Sequence, residues 1–461
     1  MQIPDIVRRL LAKASAAANP QPSAGNRTWS GFVWTEELLR AKKVLDEAPV
    51  VLLTGEAGTG KSTFIREYRD TTKKSVVVVA PTGIAALNAR GATIHSFFKL
   101  APKPVNLEEV KRVPDRKLYE KLDMLIIDEV SMVRADLLDG IERFLSLNGP
   151  RPGQPFGGVQ VVMVGDPFQL PPVVKTNAEA QLFGTRYPTA YFFGARCLGG
   201  VDVTPVVLTT PFRQADPAFL ALLNALRRGE LSSGQLATLN GRLESPSEGV
   251  EGWVVLTPTN DLVDEHNTRA LKSLPGPEQV YEGKLEGSFD RDEDRLPSPR
   301  DLRLREGAQV LFTKNDAEKR WVNGSVGIVK TLKPDAVVVK LVDGHSSARV
   351  VVEPVTWENV KFEFDPREEK VVAHVVGKFT QLPLTLGWAR TIHKSQGQTL
   401  DRARVDLGRG AFAHGQLYVA VSRVKTLAGL RLAKPVSQGD VKCDALVRAF
   451  YEEIEVAAKA G

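Results

Sequence analysis

The sequence predicts an α/β protein of two parallel-sheet lobes, with a small β-rich domain inserted into the second. Three observations carry that prediction. Short apolar runs at Val50–Thr54, Val76–Ala80, Met124–Asp128 and Val159–Gly165 alternate with helical stretches such as Lys61–Arg69 and Ala135–Phe144. That is the pattern of a parallel sheet covered on both faces. The texture resumes with Val206–Leu208, Trp253–Thr257 and the region after Leu382, which implies a second sheet-centred lobe. Between Ala308 and Thr380 it gives way to β-rich runs at Gln309–Thr313, Ser325–Thr331, Ala336–Leu341, Arg349–Val352 and Val371–Val376, which read as a small barrel.

In chain order, Met1–Pro20 reads either as an amphipathic helix, with Ile3, Ile6, Val7, Leu10 and Leu11 on one face, or as an organelle-targeting segment. Asn19–Gly31 is a linker by composition, and Ser288–Gly307, charged and Pro-rich, a surface connection. The 461 residues suit about two to four domains. A net charge of +6 suits a polyanionic partner without establishing one. Cys197 and Cys443 stand in no metal-ligand spacing and read as reduced thiols of a cytosolic protein. No apolar run reaches the ~18 residues of a membrane span.

The chemistry begins at Gly55-Glu56-Ala57-Gly58-Thr59-Gly60-Lys61-Ser62-Thr63, directly after the first strand. The glycines let backbone N–H groups close on phosphates, Lys61 neutralises the β- and γ-phosphates of ATP, and Ser62 holds Mg²⁺. Leu125–Glu129 is a buried strand ending in two carboxylates. Asp128 is placed to bind the metal and Glu129 to polarise the attacking water. Gly165–Pro172 follows another strand; its Gln169 is either a γ-phosphate sensor or part of a Pro-rich strand exit. Arg213 and Arg423 are the candidate cations for charge spreading over the γ-phosphate.

A second set of residues suits a single strand of nucleic acid. Pro81-Thr82-Gly83 lies where a strand turns into a helix and fits a phosphate. His95 adds a donor beside Phe97 and Phe98, a pair that is either a base-stacking surface or core. Thr391, His393, Lys394 and Ser395 pack polar groups into one short run that suits phosphate contact. Thr259, Asn260 and Asn323 are assigned to the same track, and Lys99–Lys121, basic and Pro-interrupted, to an excursion beside it.

Together these residues resemble the Pif-one family of superfamily 1B DNA helicases, from about Val33 to Leu432. The most specific stretches are Ala80–Leu87, Gly91–Phe98, Asp128–Asp136, Pro155–Gln160, Asn323-Gly324 and Thr391–Gly397. The resemblance implies two RecA-like lobes of a P-loop NTPase, 32–198 and 199–302 with 381–461. It implies a wedge at about Lys99–Lys117 and an SH3-like barrel at 303–380, with 1–31 as an N-terminal segment. It also implies 5′→3′ movement on single-stranded DNA and action on tailed, forked or structured DNA, including G-quadruplexes or RNA–DNA hybrids. Gly397, Arg213 and Arg423 join the nucleotide site. The expected setting is a monomer in a prokaryotic cytoplasm at the nucleoid, or else an organelle. One departure stands out: the family's adenine-reading glutamine is missing, and Trp34-Thr35-Glu36-Glu37-Leu38 occupies its stretch, which leaves base selectivity open. A nucleotide-switched DNA-binding subunit is the rival reading. It would lack Glu129 or an arginine finger, and the sequence has both.

Overall fold

A computed structural model describes residues 28–29, 32–174, 177–244, 251–290, 296–342, 348–365, 367 and 370–460. The expected N-terminal amphipathic helix lies outside these residues. The chain forms two compact units. The first comprises the residues up to Phe212 with Val360–Val375 and the C-terminal stretch from Asp444; the second comprises Arg213–Asn359 and Val376–Cys443.

In the first unit, β1 (Thr28–Trp29), within the expected linker, and β2 (Phe32–Val33), just after it, make a small antiparallel pair. Thr35 then caps α1 (Glu36–Glu47), its side chain accepting from the Leu38 N–H, with two glutamates in the first turn where the helix dipole favours them. β3 (Val50–Gly55) is buried along its whole length and leads through the phosphate loop into α2 (Lys61–Thr71). β4 (Val76–Ala80), α3 (Gly83–Asn88), β5 (Ala92–Thr93) and α4 (Ile94–Phe97) follow. Then come α5 (Lys117–Glu120), β6 (Met124–Ile127), α6 (Ala135–Asn148), β7 (Gln160–Val164), α7 (Asn177–Thr185) and β8 (Thr204–Leu208). The sheet order is β5-β4-β6-β7-β3-β8, with every pairing parallel. Leu38, Leu45, Phe64 and Tyr68 pack on Val51, Leu53, Ile126 and Val162 to form one side of its core.

The second unit opens with α8 (Pro217–Arg228), capped by Asp216 and closed by the left-handed Gly229, and α9 (Ser233–Asn240). Its parallel sheet has four strands. β9 (Val254–Thr257) precedes α10 (Asn260–Ser273), and the other three strands come after the insertion. The insertion holds β10 (Gln279–Glu282), β11 (Lys284–Gly287), β12 (Asp301–Leu304), β13 (Gln309–Phe312), β14 (Val326–Leu332), β15 (Val337–Leu341), β16 (Arg349–Val352), β17 (Val355–Asp365), β18 (Lys370–Gln381) and β19 (Leu384–Leu386), the ends of β17 and β18 within Val360–Val375 grouping with the first unit. All its pairings among the described residues are antiparallel, in sheets β16-β15-β14-β13-β19, β11-β18-β17 and β10-β12. Leu304, Val310, Phe312, Val329, Val337, Val352 and Leu384 fill its core. β20 (Ala389–Thr391), β21 (Ala403–Val405), α11 (Gln416–Val421) and β22 (Leu430–Leu432) then complete the order β20-β9-β21-β22. The last helix, α12 (Ala445–Ala460), belongs to the first unit, where Phe450 stacks on Phe193 at 4.3 Å and Tyr451 meets Phe168 at 5.0 Å.

Three boundaries differ from the sequence reading. Val206–Leu208 lies in the first sheet, because β8 runs parallel beside β3 from Val51↔Thr204 to Gly55↔Leu208. The 445–460 helix covers that lobe rather than the second. The insertion begins near Gln279, and the expected surface connection Ser288–Gly307 contains a strand whose Leu302 and Leu304 are core. Alternation in short, charged strands such as Asp301–Leu304 is too brief to register as a pattern.

Candidate nucleotide site and nucleic-acid track

The phosphate loop sits at the C-terminal end of β3, where ligands of open parallel sheets bind. Gly60 is left-handed at φ +79°, a conformation that costs glycine little, and starts α2. A side chain at Gly55 would put its Cβ 2.3 Å from the Leu208 carbonyl oxygen, so loop and strand approach only because this residue has none. Lys61 Nζ donates to the carbonyl oxygens of Gly55 and Glu56, both at 2.8 Å, which folds its ammonium back over the loop. Ser62 and Thr63 are exposed and the Thr59 hydroxyl donates to the Glu56 carbonyl.

Asp128 ends β6, and its Oδ1 accepts from the Glu129 N–H at 2.9 Å. Burial pushes the Asp128 carboxyl up from its ordinary value, opposed by that N–H and by the Lys61 ammonium. A cation beside it would favour the carboxylate further. Glu129 itself adopts φ +51°, ψ +45°, a conformation uncommon for a non-glycine residue and one that aims its side chain off the strand end. Gln169 is buried, with its N–H on the Asp166 carbonyl, so the Gly165–Pro172 turn is a fixed element.

Thr82 caps α3, accepting from the Ala85 N–H, and remains exposed beside half-buried Pro81 and Gly83. His95 is half-buried on α4. Phe97 and Phe98 are core: their exposures are 6% and 1%, and they pack edge-on with Tyr119 and Phe144. Phe362 also lies against Phe97, at 6.0 Å. A four-residue helix cannot bury its own apolar face, so both rings turn inward.

Residues 103–113, part of the basic stretch expected to lie beside the track, are held by one face of α6. Asp136, fully buried, accepts from the Val105 N–H at 2.8 Å and pairs with Arg134 at 2.9 Å. Arg134 also bonds Glu179 and the Lys103 carbonyl. One turn on, Gly140 leaves a notch in which an added Cβ would lie 2.8 Å from Val105. Two turns further, Asn148 accepts from the Val113 N–H and donates to the Lys111 carbonyl. Residues 136, 140, 144 and 148 recur every fourth position and share that face. The Asp128–Asp136 stretch thus joins the carboxylate at the end of the parallel strand to the residue that holds Val105.

In the second unit, Thr259 and Asn260 are exposed at the start of α10, where no side chain caps the helix. In the Thr391–Gly397 turn His393 and Lys394 are half-buried, and burial lowers the His393 pKa from its ordinary value. Thr391 and Ser395 are not surface groups. Both are buried, Thr391 accepting from the Lys394 N–H and Ser395 donating to the Ile392 carbonyl, so they shape the turn. Arg390, which the sequence reading missed, is buried below it and donates to the Lys394 carbonyl. Gly397 is exposed at φ +76°. Asn323 is likewise engaged inside the unit: its Oδ1 accepts from Gln398 Nε2 at 2.7 Å, which ties the insertion to this turn.

Arg213 donates to the Ser422 carbonyl at 3.1 Å, and Gln214 to the carbonyls of Ser422 and Val424. Arg423 is not the accessible finger that its sequence position implied. It is 1% exposed and its guanidinium donates to the carbonyls of Val419, Ser395 and Gln398 and to the Ser422 hydroxyl. Contact with a phosphate requires it to leave these acceptors. Phe212, also missed, is the exposed aromatic of the first unit's loop; its ring lies on Gly60 and its N–H on the Gly58 carbonyl at 2.8 Å. The signal was an aromatic residue immediately before the candidate finger.

The oxygens of Ser62 and Asp128 suit Mg²⁺, which takes one or two protein oxygens and completes its shell with phosphates and water. Among the described residues no group of three or more His, Cys, Asp or Glu could hold a metal ion. No helix among them is long and apolar enough to cross a membrane.

A family model described as PIF1-like helicase matches residues 38–217. The chain is 33% identical over 431 residues to the ATP-dependent DNA helicase Pif1 of Bdellovibrio bacteriovorus, covering 91% of this chain and 92% of that protein. It is 32% identical over 455 residues to the ATP-dependent DNA helicase PIF1 of Emericella nidulans, where it covers 85% of this chain but only 59% of the longer fungal protein. Pif1 from Bacteroides sp in complex with ADP-AlF4 superposes with a TM-score of 0.83 at 33% identity, covering 92% of this chain and 97% of that one. The Bacteroides protein bound to ssDNA gives 0.66 at the same identity, covering 93% and 98%. These matches pair the two parallel-sheet lobes with RecA-like lobes and the antiparallel insertion with an SH3-like one. The chain belongs to the PIF1-like helicase family.

Proposed function

We propose that this chain is an ATP-dependent DNA helicase that moves 5′→3′ along single-stranded DNA and opens tailed, forked or structured duplexes. The observation that carries the reading is the meeting of Lys61, Asp128 and Glu129 at one end of a parallel sheet, in a chain similar to a bacterial Pif1 along nearly its whole length. Lys61 neutralises the β- and γ-phosphates, and Ser62 and Asp128 hold Mg²⁺, which supplies charge neutralisation at the γ-phosphoryl group. Glu129 takes a proton from the attacking water as the new P–O bond forms and the bond to the β-phosphate oxygen breaks. Arg213, and Arg423 once released from its carbonyl partners, offset the charge that develops.

DNA phosphates are held by Thr82, His95, Thr259, Asn260, Asn323, His393 and Lys394, the assigned polar groups that stay at least partly exposed. The Bacteroides relative bound to ssDNA supports single-stranded DNA as the ligand. Structured substrates such as G-quadruplexes and RNA–DNA hybrids, a monomeric state and a bacterial nucleoid setting complete the proposal, the last supported by the Bdellovibrio relative. The test is unwinding of a tailed duplex with and without ATP and Mg²⁺; ATP-independent strand separation, or none, rejects it.

A further inference from the structure

We infer that Glu37 is a positioning residue for ATP turnover, clamping the strand exit Thr209–Phe212 against the phosphate loop, and that it does not read the nucleotide base. The inference rests on the ATPase reading above. Glu37 lies in the first turn of α1, where the family's base-reading glutamine is missing. Its Oε1 accepts from the Thr209 N–H at 2.6 Å and the Thr209 hydroxyl at 2.8 Å, and its Oε2 from the Thr210 N–H at 3.3 Å. A carboxylate only accepts hydrogen bonds, and this one already has donors on both oxygens. Three of its roughly four lone-pair positions are taken, so an adenine amino group would find about one acceptor position left, beside charge-assisted bonds to the backbone, and those are the strong ones.

The other end of the same segment is fixed independently. Leu208 is paired with Gly55, the Phe212 N–H reaches the Gly58 carbonyl, and the Phe212 ring rests on Gly60. Four consecutive residues after β8 are therefore stitched to the nucleotide end at three places: α1, the middle of the loop and the start of α2. The next residue in the chain is Arg213. Freeing Thr209 and Thr210 loosens the segment that seats Phe212 on the phosphate loop, and a misplacement of about 1 Å in a catalytic group of that loop costs up to a hundredfold in rate.

The test uses the full chain and compares wild type, Glu37→Ala, Glu37→Gln and Thr209→Val. DNA-stimulated hydrolysis of ATP and GTP is measured per nucleotide site, the sites being counted by titration with ADP. The clamp predicts that Glu37→Ala lowers turnover per site by about ten- to a hundredfold for both nucleotides. The ATP-to-GTP ratio of kcat/KM then stays within about twofold, a spread too small for a base contact. Glu37→Gln, which keeps Oε1 for Thr209, recovers part of the loss, and Thr209→Val loses less than Glu37→Ala. A shift in the ATP-to-GTP ratio with turnover intact overturns the inference, because Glu37 would then be the base reader. Unchanged turnover and ratio also overturn it, as does a loss explained wholly by fewer ADP sites, which marks a structural role. Absence of hydrolysis by the wild type would instead sink the ATPase reading.

Discussion

Replacing Asp136 with alanine tests how α6 holds residues 103–113. The carboxylate is fully buried and holds two partners, the Val105 N–H and the Arg134 guanidinium. Stranding a buried N–H costs about 1–3 kcal/mol. Arg134 keeps Glu179 at 2.7 Å and the Lys103 carbonyl at 3.0 Å, so the ~3–5 kcal/mol of a fully orphaned buried ion is not reached. The expected loss is about 2–4 kcal/mol, or on the order of 10 °C in melting temperature for a unit of this size. Asp136→Asn keeps one acceptor and should lose roughly half as much. Because the damage is local to residues 103–113, fork unwinding should fall severalfold further than DNA-stimulated ATP hydrolysis does. Thermal melting, ATPase and fork-unwinding assays on the two variants measure this. A melting temperature within about 1 °C of wild type for Asp136→Ala, with unwinding unchanged, refutes the anchor.

Lys61→Ala should abolish ATP hydrolysis while barely changing the melting temperature, since the half-buried ammonium bonds groups of its own loop, the Gly55 and Glu56 carbonyls and the Thr59 hydroxyl; turnover near wild type removes the phosphate-loop assignment. Glu129→Gln should keep ATP and DNA binding but slow hydrolysis about a hundredfold or more, and survival of hydrolysis within about twofold places water activation elsewhere. His393 titrates below its ordinary 6.5 because it is buried. As the pH falls through 6.5 the unfolded chain therefore binds a proton that the folded chain refuses, and stability is lost there rather than gained. The melting temperature should drop between pH 7.5 and 5.5, and less so in His393→Gln; an equal drop in both proteins contradicts the burial.

The sequence displayed most plainly what periodicity and glycine spacing record. Strands such as Val76–Ala80 and Arg349–Val352 matched to the residue, and the phosphate loop needed no tertiary information. Pairing partners were harder. Nothing in Thr204–Leu208 says that it lies beside β3 rather than starting a new sheet, and an amphipathic helix at 445–460 does not name the lobe it covers. Polar residues misled for a related reason. Thr391, Ser395 and Arg423 look like ligands to DNA or phosphate in one dimension, yet the tight turn around Ser395 spends them on its own backbone. Phe97 and Phe98 were open between two roles, and burial against Tyr119 and Phe144 decides for core. Asp136 was singled out only by resemblance, and its physical task appears once residues 103–113 are seen on α6.

ATP hydrolysis at Lys61, Asp128 and Glu129 is proposed to drive this chain along one strand in one direction. The most direct measurement is unwinding, with ATP and Mg²⁺, of two duplexes that differ only in carrying a 5′ or a 3′ single-stranded tail, with Glu129→Gln as control. The expected result is strand separation from the 5′-tailed duplex, little or none from the 3′-tailed one, and none with the variant. Efficient unwinding from the 3′ tail alone would contradict the direction, and unwinding by Glu129→Gln at the wild-type rate would contradict the motor itself.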